Sequence, residues 1–176
     1  MQALALTPDQ RRYLLLEHCL LPALVNLVFN AAIGWLIFRH ALPVRMWPEL
    51  SWPGILQPNF AGDVSGMFFF LPLVTCLAVT RFVVGAVREG KVALLAIRRA
   101  DHPILRHLPV SVWPRAILMG SLCSVVLGSL VVLILTLMGV NSLSLGFAVG
   151  LKGLLAALLA AVATPVMAVH ELCLEK

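Results

Sequence analysis

Two short runs of this chain place imidazole, carboxylate and thiol groups next to one another: Glu17-His18-Cys19 and His170-Glu171-Leu172-Cys173. Each of these groups can ligate a transition metal, and a pair of histidines can flank a haem iron. If the two runs meet in space, Glu17, His18, His170 and Glu171 form a candidate metal site. Their spacing argues against it, because no HxxxH or HxxE interval sets two ligands on one helix face. Polar residues at helix ends are also what a membrane interface selects. The expectation is no cofactor, with a transition metal or haem as the alternative. Asp101-His102 and His107 lie in the basic loop and read as solvated or headgroup-contacting. There is no Ser/His/Asp order, phosphate-cradling glycine loop or HExxH motif, so the chain reads as non-enzymatic.

A second polar set recurs at four-residue spacing inside apolar runs: Asn26-Asn30-Gly34, Pro72-Cys76-Thr80, Gly120-Ser124-Gly128 and Ala156-Ala160-Thr164. Neighbours at this spacing share a helix face. In lipid, small residues and side-chain hydrogen bonds hold helices together, so the rows predict a packed interior. The seam Asn26, Asn30, Thr75 and Ser124 is either part of that packing or a polar path. Asn30 falls near the bilayer midplane, where its amide needs an interior partner. Lys152 and Arg81, charges within apolar runs, are expected to snorkel; pairing with Asp63 is the alternative for Lys152.

The elements that must carry these groups follow from composition. Apolar residues make up 61% of the 176, charged residues 12%, and the mean hydropathy is +0.99. A crossing takes roughly 20 apolar residues, so the chain accommodates four: about 19–38, 67–87, 116–138 and 146–169. The fold class expected is an all-α membrane protein, a four-transmembrane-helix bundle forming one domain. Ala116 to Leu151 carries no charge over 36 residues, too long for one crossing, and Gly139 to Ser144 supplies a turn. Thr7-Pro8-Asp9-Gln10 reads as a capping box opening the first helix in water. No small-residue cleavage site follows the first apolar run, so that helix is expected to be retained.

Between the first two spans, residues 41–62 hold four prolines, with Trp47 and Trp52 each directly before one. Proline excludes continuous helix, and interfacial tryptophan is common, so this is an outer loop lying along the headgroups. The loop 88–115 is its basic counterpart. Arg88, Lys91, Arg98, Arg99, Arg106 and Arg115 are the candidate headgroup-binding residues, suited to anionic lipid. Within it Lys91 to Ala100 reads as a short surface helix or a solvated loop.

Nine Lys and Arg lie on the side of the N-terminus, second loop and tail, against two on the other. The positive-inside rule then places both termini in the cytoplasm and the bundle in the plasma membrane. The net charge of +5 is accounted for by this topology, and nucleic acid is not an expected partner. Gly62, Gly66, Leu71 and Thr80 align with Gly146, Gly150, Leu155 and Thr164 at one constant offset, as a parallel duplication into two tandem helical hairpins would give. Leu42–Pro48 and Leu108–Pro114 also resemble each other, but imply an incompatible symmetry. Four cysteines without a CxxC argue against a disulfide framework. The leading functional reading is a membrane subunit or assembly partner, within a homo-oligomer or larger complex. A small dimeric transporter or channel, and a metal or haem enzyme, are the alternatives.

Overall fold

A computed structural model describes residues 6–174 with the exception of Pro53 and Ile104. Lys176, counted above with the cytoplasmic cations, lies outside the described residues. Among the described residues four helices are long and apolar enough to cross a membrane. We label them α1 (Pro8–Phe38), α2 (Phe60–Arg88), α3 (Val112–Leu137) and α4 (Leu145–Leu172).

The first helix starts where the capping box predicts. Thr7 accepts from the Gln10 amide, and the Gln10 side chain accepts from the Thr7 amide. Over Leu16–Leu20 the helix widens into a π turn, and the Leu21 amide reaches back five residues to the Leu16 carbonyl. Pro22 explains the widening, since it has no N–H for the carbonyl one turn earlier. α2 begins earlier than the hydropathy predicts, because Asn59 accepts from the Gly62 amide and caps it. α2 and α3 both end on glycines with positive φ, Gly90 at 71° and Gly139 at 72°. At each end the next two amides fold back on the last turn, Lys91 to Ala86 and Val140 to Leu135 closing the wider loop. Only glycine adopts this conformation without strain.

Packing sets the helices in the lateral order α1, α4, α2, α3. α4 lies against both α1 and α2, and α3 packs chiefly on α2. Glycines allow the close approaches: a Cβ on Gly153 would lie 2.9 Å from the Leu27 carbonyl of α1, and one on Gly120 would lie 2.6 Å from the Phe69 carbonyl of α2. α1 and α2, consecutive in sequence, stand on either side of α4 with a furrow between them.

Short strands close both ends. At the Trp/Pro end β1 (Val44–Arg45) pairs antiparallel with β3 (Ser142–Leu143), and the Met46 amide donates to Asn141 at 2.9 Å. Phe38, Val44, Met46 and Phe60 are fully buried beneath this cap, while Trp47 and Trp52 stay exposed. At the basic end β2 (Leu95–Arg98) runs parallel to β4 (Cys173–Leu174). The surface helix or solvated loop expected over Lys91 to Ala100 is corrected: 91–94 is a bend and irregular chain, Arg99–Asp101 a 3-10 turn, and Leu95–Arg98 between them an extended strand. Pairing with the chain beyond α4 satisfies its backbone, Val92 and Leu95 turn inward, and the buried Gln10 amide donates to the Ala93 carbonyl at 3.1 Å.

Candidate functional site

Three polar arrangements lie within the bundle. The first gathers around Arg115, near the start of α3 at the basic end. Its guanidinium is 1% exposed and donates to the Glu171 carboxylate and, at 2.9 Å, to Thr80 Oγ1. It also contacts His170 Nδ1 at 2.8 Å, the carbonyls of Pro109 and Val110 at 3.3 Å, and Cys76 Sγ at 3.4 Å. Thr80 in turn donates to Glu171 at 3.1 Å. The fork of five donors is thus almost fully used, as a buried guanidinium requires. The cluster ties α2, α3, α4 and the loop before α3 together at one level.

The second arrangement is at the opposite end. Lys152 of α4 places Nζ 2.7 Å from Asp63 Oδ1 in the first turn of α2, and its side chain is 3% exposed. The carboxylate also sits at a helix N-terminus, where backbone N–H groups favour negative charge. This is the pairing that the sequence offered as one alternative for Lys152.

The third arrangement is the furrow. Its half nearer the Trp/Pro end encloses about 440 Å³, bordered by Asn26, Asn30, Asp63, Thr75 and Lys152 among apolar residues. The half nearer the basic end encloses about 810 Å³, bordered among others by Tyr13, Glu17, His18, Arg81 and Thr164. Asn26, Val74 and Thr75 border both, so the two halves are continuous. Two buried polar atoms on residues of this wall, His18 Nε2 and Thr164 Oγ1, have no hydrogen-bond partner.

The residues singled out in the sequence are divided among these places. Asn26, Asn30 and Thr75 come together along the furrow. Asn26 donates to the Pro22 carbonyl at 2.9 Å, using the acceptor near the helix irregularity, and Asn30 donates to the Asn26 carbonyl at 3.1 Å. Ser124 is elsewhere: it lies in a π turn of α3, Cys123–Gly128, and donates across to the Ser65 carbonyl of α2 at 3.0 Å. It serves packing, and the seam has three members in the furrow.

Glu17, His18, His170 and Glu171 do not converge. His18 stacks edge-on against Tyr13, with ring centroids 4.8 Å apart, while His170 and Glu171 are engaged by Arg115. Among the described residues no three His, Cys, Asp or Glu side chains gather closely enough to hold a metal ion. Burial pushes the Cys173 thiol up from its ordinary value, against the opposing charge of Arg99, so a ready thiolate is not available there.

Arg115 departs from the other cations of the basic segment: it turns inward, because Glu171, Thr80 and His170 offer it a complete set of acceptors. Arg88, Lys91 and Arg106 stay exposed, and Arg99 is half-buried. Arg98 is placed in β2 by its backbone. The signal for Arg115 was present in the sequence as a cation and a carboxylate, Glu171, at the same predicted edge of two spans. Reading each by its own neighbours separated them. Compared with known families, curated proteins and solved structures, the chain matches none.

Proposed function

We propose that this chain is a non-enzymatic membrane subunit that engages another membrane component through the furrow between α1 and α2. The observation carrying this is that α4 holds those two helices apart, leaving Asn26 and Thr75 beside a gap that opens sideways. Polar groups facing hydrocarbon are costly unless something occupies or wets the space beside them. Apart from that gap the polar interior is internally satisfied by the Arg115 and Lys152 groups, which stiffen the helices around it.

In this reading both termini and the basic loop face the cytoplasm, and the protein resides in the plasma membrane. The nine-to-two bias of Lys and Arg supports the orientation. The lateral order supports a tandem duplication in which the two helix pairs interleave instead of packing as separate hairpins. A two-fold axis exchanging α1 with α3 and α2 with α4 would map the α1–α4 contact onto the α3–α2 contact, and β1 onto β3.

Single cysteines carrying a photoreactive label test the furrow in native membranes. Positions Phe29 and Val74 inside it are compared with Leu133 on the exposed face of α3. A stoichiometric adduct confined to the furrow positions is expected. Equal, diffuse labelling at all three would overturn the proposal.

A further inference from the structure

We propose that the half of the furrow nearer the basic end is a binding site for one zwitterionic phospholipid. This inference rests on the furrow being a binding surface, and adds the class of its occupant. Arg81 and Glu17, both exposed, border that half from opposite helices, α2 and α1. Among the described residues neither has an ion-pair or hydrogen-bond partner. The other two charges at the rim satisfy each other, with Lys91 Nζ 2.6 Å from Glu89. Glu17 feels Lys91 only at longer range, so one cation and one anion, Arg81 and Glu17, are left without a direct partner facing a common gap.

A phosphate is the natural partner of a guanidinium, which binds its oxygens through paired donors. An ammonium is the natural partner of Glu17. A headgroup with both matches both, whereas an anionic headgroup would set a net negative charge against Glu17, and a free phosphate would leave Glu17 unanswered. Arg81 lies seven residues before the end of α2, about 10 Å along its axis, so the phosphate would sit just inside the headgroup layer. From there the furrow continues past Leu21, Val25, Val74 and Phe82 into the half shared with Asn26, an apolar course suited to an acyl chain. The unpartnered His18 Nε2 and Thr164 Oγ1 belong to residues on the same wall.

The test is native mass spectrometry of the delipidated full-length protein in detergent, titrated with phosphatidylethanolamine, phosphatidylglycerol or diacylglycerol. A single saturating adduct with phosphatidylethanolamine is expected, and weaker, non-saturating uptake of the other two. Arg81→Gln and Glu17→Gln should each lower that affinity about tenfold, the effect of losing one charged hydrogen bond. Arg81→Lys should retain most of it, and Ala78→Phe should abolish it by filling the furrow. Arg12→Gln, exposed at the basic end but not bordering the furrow, should change nothing. Thermal unfolding of each lipid-free variant separates lost binding from lost folding. Equal affinity for phosphatidylglycerol, or full binding by both Gln variants, would overturn the lipid assignment. A stoichiometric protein adduct at Phe29 and Val74 would overturn it too, leaving the functional proposal standing, whereas diffuse labelling there removes both.

Discussion

Lys152 and Asp63 meet near the Trp/Pro end of the bundle, Nζ to Oδ1 at 2.7 Å, although 89 residues separate them in sequence. The contact joins the first turn of α2 to the second turn of α4. It also fixes one wall and the floor of the furrow relative to each other. Gly34 of α1 makes room for the lysine stem: a Cβ there would lie 3.2 Å from Lys152 Cδ.

Removing one partner of a buried pair leaves the other charge uncompensated, at a cost of about 3–5 kcal/mol. Lys152→Met should therefore lower stability by roughly that amount in detergent unfolding. The double variant Lys152→Met with Asp63→Asn should recover a substantial part, because no orphan charge remains. Additive losses in the double variant would show that the two residues act independently.

The Arg115 cluster makes a different prediction from the other basic residues. Arg115→Gln should destabilise the bundle by several kcal/mol, since it strands Glu171 in a nearly closed site. It should leave the enrichment of anionic lipid around the protein in mixed-lipid nanodiscs unchanged, whereas Arg88→Gln or Arg106→Gln should weaken that preference by about 1 kcal/mol each and spare stability. An Arg115→Gln variant that unfolds normally but loses the anionic-lipid enrichment would place that side chain at the surface.

Asn30 is buried but bonds within its own helix, to the Asn26 carbonyl. Asn30→Leu removes no contact between helices, so the loss in stability should fall near the low end of the range of about 0.6 to 2 kcal/mol for polar groups in membrane helices. The same change makes the furrow more apolar and narrower. A loss well above that range would reveal an interhelical partner for Asn30.

Orientation is checked by reporter fusions. Fusions after Pro58 and after Asn141 should report the outer side, and a fusion after Arg99 the cytoplasm. A signal from the outer side at Arg99 would reverse the assignment and move the Arg81–Glu17 rim to the other leaflet.

The four long apolar helices, the Thr7–Gln10 cap and the proline-rich break after the first helix were legible in the sequence, because each depends on local matters. A run of apolar residues long enough to cross, a proline that breaks a helix, or a capping side chain three residues from its amide needs no knowledge of neighbours. The pairing of Lys152 with Asp63 was legible as an option for a related reason: opposite charges at the same depth of two spans have few other partners in lipid. Tertiary structure alone decided the lateral order of the helices. Helix faces in a membrane are nearly equally apolar, so hydropathy does not choose between α2 and α4 as the neighbour of α1. Backbone approach at Gly153 and Gly120 makes that choice. The same order sends Arg115 into the interior, separates Ser124 from Asn26 and Asn30, and keeps His18 away from His170. It also turns Leu95–Arg98, within the segment Lys91 to Ala100, into a strand, since a short segment with weak local preference takes the structure offered by β4, a pairing partner some 80 residues away.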